Sequence, residues 1–266
     1  MTIDGVDATG VGRVGGTAAV ALVTVAALGA LSACGSDPPP SGNPPASAAP
    51  VPTAPTEARA QLAALAAAAK DKRMVAFYTL RVPYRPDRTV AVTLAVDGSW
   101  RIDVPGGALG GTVDVAIAAN STGLYQCGLP PGTGCVKIGG PDGTPPVAVD
   151  PRVQHVLVDW RDVFLDRKAP LNVAVTGAPA GASGSCFSVE PTAASLAAPV
   201  DPGVYCYAPD GALTAAVAGF GTLVLARPPS PAPPTAPLPG PVVPGPPLKT
   251  SPPPPPSPAV SPTARG

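Results

Sequence analysis

The placement of proline limits this chain more than any other feature. Of 266 residues 41 are proline, and most of them crowd toward two stretches. Residues 36–55 form a Pro/Ser/Ala run, and residues 228–266 form a proline-dominated tail that ends in PPPPPSPAVSPTARG. Proline has a fixed φ and no backbone N–H, so neither a helix interior nor a central strand can be built from such runs. Both stretches also hold too little apolar surface to offset the entropy of ordering them. The sequence therefore predicts disordered, polyproline II-like spacers, extended at about 3.1 Å per residue. Between them, residues 56–227 make up about 170 residues, the size of a single domain with a sizeable core.

Ahead of the first proline run lies Thr17–Leu31 (TAAVALVTVAALGAL), apolar except for two threonines and a glycine. It is short for a transmembrane helix and suits the apolar region of an export signal. The run Leu31-Ser32-Ala33-Cys34 that follows resembles the lipobox of bacterial lipoproteins. That resemblance implies a signal peptide over residues 1–33, lipid attachment at Cys34 and a linker over residues 34–55. It also implies a protein held by lipid at the extracytoplasmic face of the cell membrane. Each buried methylene contributes roughly 0.8 kcal/mol, so a stable anchor needs more than one acyl chain.

Within residues 56–227 the apolar pattern changes period three times. Thr56 can cap a helix in which Ala58, Leu62, Leu65 and Ala69 recur at helical spacing. Alternating stretches follow: Val75 to Val82, Thr89 to Val96, Trp100 to Val104, Val113 to Ile117, Leu124 to Cys127 and Cys135 to Ile138. Asp97-Gly98 marks a tight turn between two of them. Asp150-Pro151 then reads as a helix start. Val153, Leu157, Trp160 and Phe164 form its apolar stripe, with His155, Asp159, Asp162 and Asp166 on a solvated face. Further strands are expected at Leu171 to Thr176, Ser185 to Val189, Val204 to Tyr207, Leu213 to Val217 and Thr222 to Ala226. Two helices and about ten strands in long meanders predict a single α+β domain. Its large antiparallel sheet should curl into a half-barrel, with the two helices covering the concave face.

The cysteines divide into Cys34 and four others. In an exported chain Cys127, Cys135, Cys186 and Cys206 can pair in three ways. Cys127–Cys135 is favoured because the pair brackets GLPPGTG, a hairpin loop. Cys186–Cys206 then joins two strand segments. No C-x2-C spacing is present, so neither a thiolate metal site nor a redox motif is indicated. With a net charge of zero and 13% charged residues, nothing points to nucleic acid. The chain has one histidine, His155. A Ser-His-Asp hydrolase would have to use it, but there is no G-x-S-x-G elbow, and Gly181-Ala182-Ser183-Gly184 is only a weak echo. Gly106-Gly107 and Gly139-Gly140 lack the phosphate-loop lysine and the dinucleotide pattern, so no cofactor is expected.

Taken in order, the lipobox, the proline spacer, an Ala-rich helix and the segments YTLRV, VTLAVDGSWRIDVP, SCFSVEPT, GVYCYAPDGALTAAV and GFGTLVLA resemble actinobacterial lipoproteins. The element order is similar to that of the LolA/LppX/LprG superfamily, lipid carriers built as a half-open barrel covered by helices. The resemblance implies a non-catalytic protein that binds a lipid or other hydrophobic ligand between sheet and helices. Tyr78, Trp100, Trp160 and Phe164 are the candidate lining. The alternative expectation is an envelope interaction or sensor module. Its proline tail, spanning about 100 Å if extended, would meet a cell-wall polymer or a protein partner.

Overall fold

The computed structural model describes residues 55–130, 133–193 and 200–252. The expected signal peptide, Cys34, the expected linker up to residue 54 and the tail beyond residue 252 lie outside the described residues. Helix α1 (Pro55–Asp71) begins one residue before Thr56, with proline in the first turn, where its missing N–H is not needed. Ala58, Leu62, Ala66 and Ala69 form its buried stripe, with Leu65 half-buried beside them.

A first meander follows: β1 (Met74–Arg81), β2 (Arg88–Leu94), β3 (Trp100–Ala108), β4 (Val113–Asn120), β5 (Gly123–Gly128) and β6 (Cys135–Gly139). Single 3-10 turns at 147–149 and 155–157 and a short α2 (Trp160–Leu165) lead to a second meander. It comprises β7 (Leu171–Thr176), β8 (Ser185–Pro191), β9 (Gly203–Tyr207), β10 (Leu213–Ala218) and β11 (Gly221–Leu225), trailed by β12 (Ser230–Pro231). The result is the predicted α+β fold, with one open antiparallel sheet of 12 strands. Its order is β6-β5-β4-β3-β2-β1-β11-β10-β9-β8-β7, with β12 beside β1. The meanders join where β1 meets β11, with Tyr78 opposite Leu225 and Leu80 opposite Leu223.

Strand alternation aims one face at the helices. A single core gathers Val92 and Ile102 from the first meander, Phe187 and Leu223 from the second, Leu62 from α1 and Phe164 from α2. Strands far apart in the sheet thus pack on the same two helices, so the sheet curves around them. The core is solid. Trp160, Tyr78, Tyr205, Tyr207, Phe164 and Phe187 are each less than 2% exposed, and each contributes roughly 1.5–3 kcal/mol by burial. The Tyr78 hydroxyl donates to the Leu213 carbonyl at 3.1 Å, and Phe164 packs 4.9 Å from the Tyr205 ring. These side chains occupy the space expected to hold a ligand between sheet and helices. Of the four candidate lining aromatics, Tyr78, Trp160 and Phe164 are core, and Trp100 is half-buried at its margin.

Both favoured disulfides are present, Cys127–Cys135 and Cys186–Cys206. Each links directly opposed residues on neighbouring strands, across β5–β6 and across β8–β9. Both lie on the face turned away from the helices, where each has a small apolar cluster of its own.

The helix expected from Asp150 is broken. Arg152 has φ +67°, and Val158 has φ −124° and ψ −89°, so only a 3-10 turn and the six-residue α2 remain. The physical reason is side-chain demand. Asp150 accepts the Arg152 N–H at 2.8 Å, and Arg152 turns aside to pair with Asp201.

The tail brings the largest correction. Residues 228–252 are not a free spacer but a strap bound to the sheet. The Pro233 and Pro234 carbonyls accept the N–H groups of Val96 and Asp97, both at 3.1 Å. The Ala236 N–H donates to Ser99 Oγ at 2.8 Å, and Leu238 packs on the cluster around Cys127–Cys135. At edge strand β6, Cys135 donates to the Pro241 carbonyl at 2.8 Å and accepts from the Val243 N–H at 2.9 Å. The strap then reaches Gln126, which stands opposite core-facing Ile117. There the Leu248 N–H donates to Gln126 Oε1 at 2.6 Å, and Gln126 Nε2 donates to the Leu248 carbonyl at 2.8 Å. Proline lacks a donor but keeps its carbonyl, so a proline-rich segment can still serve unpaired strand N–H groups. It also covers a sheet edge that would otherwise invite pairing with another chain.

Candidate functional site

Two clefts open at opposite ends of β2. The first, about 450 Å3, lies between the end of α1, the β2–β3 turn and residues 141–145. Charged groups line it, among them Lys70, Arg73, Asp142, Asp159 and Arg161, with Trp100 at one side. The second, about 600 Å3, lies at the ends of β1 and β3. Its walls are Leu80, Val82, Val104, Val153 and Phe220, its rim carries Arg85, Arg88 and Arg152, and Pro252 of the strap closes one side. That volume suits a drug-sized or single-chain apolar ligand.

His155 lines the first cleft, and its partner Asp150 lines the second. The histidine is 7% exposed, not on a solvated helix face. Its Nδ1 donates to Asp159 Oδ1 at 2.7 Å, and its Nε2 donates to Asp150 Oδ2 at 2.8 Å. Burial alone would lower its pKa, but the two carboxylates outweigh burial and hold it at about 9. Asp150 is held below the usual carboxylate range: burial opposes ionisation, but hydrogen bonds from His155, Gln154 and the Arg152 N–H overcome it. The ring also stacks on Trp160, 5.7 Å between centroids. With both nitrogens committed, His155 has none to offer a nucleophilic hydroxyl. Asp162 pairs with Lys70 at 2.6 Å, and Gly181–Gly184 belongs to the loop between β7 and β8. Among the described residues no group of three or more His, Cys, Asp and Glu converges as metal ligands.

The second cleft is where the backbone is strained. Among the described residues three non-glycine residues have positive φ: Tyr84 at +62°, Leu109 at +49° and Arg152 at +67°. Arg152 lines this cleft, and the other two immediately precede its Arg85 and Gly110. Such conformations cost on the order of 1–3 kcal/mol each and gather at functional sites. The Pro83-Tyr84 turn closes with the Arg85 N–H donating to the Val82 carbonyl at 3.1 Å, and Tyr84 occupies the turn position that normally takes glycine. It projects fully into solvent at the cleft mouth.

The sequence reading passed over this loop, VPYRPDR, and weighed Gly106-Gly107 only against nucleotide motifs. A usable signal was there: an aromatic and three arginines within residues 81–88, at the connection between two predicted strands, followed further along by two glycine doublets. Cys34, the one residue matched to a motif, lies outside the described residues. Comparison with protein-family models, with curated proteins and with solved structures returned no match.

Proposed function

We propose that this chain is an envelope lipoprotein, anchored through lipid on Cys34 at the extracytoplasmic face of the membrane, that binds a lipid or other hydrophobic ligand without transforming it. One observation carries the reading: the apolar-walled cleft of about 600 Å3, which Arg152 lines and whose lining residues Arg85 and Gly110 directly follow Tyr84 and Leu109, the other non-glycine residues of positive φ among the described residues. Because the space between sheet and helices is filled, the proposed ligand is assigned to this open end instead. Transfer of an acyl chain into such walls is favourable by roughly 25 cal/mol per Å2 buried. Two disulfides suit an oxidising compartment. The alternative, capture of a wall polymer or protein by the tail, has less chain to work with, because residues 228–252 are engaged with the sheet.

Native mass spectrometry with lipid extraction tests the proposal on the full chain carrying Cys34→Ser. The expected result is a stoichiometric, chemically intact apolar ligand that is lost in Val82→Asp. An unliganded mass after incubation with envelope lipids would remove the reading.

A further inference from the structure

We infer that the ligand of the larger cleft is an anionic amphiphile, and that the Arg85 guanidinium at the cleft mouth takes its acidic head. The inference rests on the cleft reading above and adds the chemistry of the head. It begins with charge accounting. Around the cleft, Arg152 is paired with Asp201, and Asp150 is committed to His155. Arg88 lies 3.4 Å from Asp114, whose carboxylate also accepts the Gly106 N–H at 2.7 Å. Arg81, at the end of β1 just before the loop, is paired with Asp87 at 3.2 Å. Among the described residues Arg85 alone of these has no carboxylate in reach, so one positive charge is left uncancelled at the mouth of an apolar pocket.

The guanidinium is also held in place. Arg85 Nη2 donates to the Gly110 carbonyl at 3.0 Å, and Arg88 Nη1 reaches the next carbonyl, Gly111, at 3.5 Å. The two cations therefore lie on consecutive peptide groups of one turn. Glycine makes that possible. A Cβ at Gly111 would stand 1.6 Å from Arg85 Nη1, and one at Gly106 would stand 2.5 Å from Arg88 Nη1. Both glycines have positive φ, +93° and +64°, so the turn is shaped and emptied where the guanidiniums lie. One edge of Arg85 is bound to the turn, and its remaining N–H groups are free to bind an anion in bidentate fashion. Tyr84, exposed beside it, supplies the amphipathic ring suited to a boundary between apolar and wet surroundings. Apolar walls with a fixed cation at the lip match an acyl chain ending in a phosphate or carboxylate.

The test is equilibrium binding to the full chain carrying Cys34→Ser, with oleoyl lysophosphatidic acid, mono-oleoylglycerol and glycerol 3-phosphate, each below its aggregation concentration. The acidic lipid should bind at least about tenfold more tightly than the neutral one. Arg85→Gln should bring the two within about twofold and leave mono-oleoylglycerol unchanged, Arg85→Lys should keep part of the preference, and Arg81→Gln should keep all of it. Equal binding of the two lipids, or a preference that survives Arg85→Gln, overturns the inference while the cleft reading stands. Glycerol 3-phosphate binding as tightly as its acylated form also overturns it, in favour of a free-anion site. Failure of both lipids to bind removes the cleft reading, and this inference with it.

Discussion

His155 carries the clearest single-residue consequence. Two carboxylates hold its folded pKa at about 9, above the ordinary 6.5. A group raised in this way contributes fully below its unfolded pKa, and the contribution fades as pH climbs through the folded value. The difference between 6.5 and about 9 corresponds to roughly 3 kcal/mol. Asp150 has the opposite sign, because its lowered pKa gives stability that is lost only as pH falls below the ordinary 3.8. Burial pushes Tyr78, Tyr205 and Tyr207 upward, so they stay protonated throughout the window that concerns the histidine. Urea unfolding should therefore show a plateau near pH 6 and a loss of about 2–3 kcal/mol by pH 9.5. His155→Gln should unfold more easily at pH 6 and show no such decline. A wild-type curve that stays flat from pH 6 to 9.5 would mean that the carboxylates do not hold the proton.

At the scale of elements, the strap depends on Gln126. This side chain is 3% exposed and behaves as a short piece of strand, bonding both polar groups of Leu248 and donating to the Val149 carbonyl at 3.3 Å. Gln126→Ala leaves those groups without partners in a half-buried place, at a cost of about 2–3 kcal/mol. Hydrogen exchange should quicken at Leu248 and Thr250 and remain slow at Ala236 and Val243, whose partners are Ser99 and Cys135. Uniform loss of protection along 230–250 would show that the strap is one cooperative piece. Nothing in the sequence announced this element, because its bonds are made by carbonyls that every proline retains and by a glutamine on a distant strand. The strands were legible, since alternation such as Met74, Ala76, Tyr78, Leu80 depends on local pattern alone. The helix at 150–166 was misread because its apolar stripe is genuine while the break at Arg152 is enforced by Asp201, far along the chain. The cleft was legible only in composition, through its arginines and glycine doublets, because its positive-φ residues are recognisable only once the turns that hold them are assembled.

The whole molecule is two meanders joined at β1 and β11, with one disulfide near each outer end of the sheet. The bridges close loops of 8 and 20 residues, which the chain-entropy model values at about 2.5 and about 3.3 kcal/mol. Removing Cys186–Cys206 as a pair of alanines should thus destabilise slightly more than removing Cys127–Cys135, if loop entropy were the whole effect. The strap changes that ranking. Leu238 packs on the Cys127–Cys135 cluster, Pro241 and Val243 bond Cys135, and Gln126 is the neighbour of Cys127. The other bridge is covered instead by Ala182 from the loop between β7 and β8. Distant sites add and coupled sites do not. Combined with Gln126→Ala, the Cys186→Ala/Cys206→Ala pair should therefore add within about 0.5 kcal/mol, whereas Cys127→Ala/Cys135→Ala should depart from additivity by about 1 kcal/mol or more. Equal coupling of both bridges to Gln126 would mean that strain passes through the β1–β11 junction and the sheet responds as a single plate; coupling confined to the first bridge would mark the strap as the brace of its own meander.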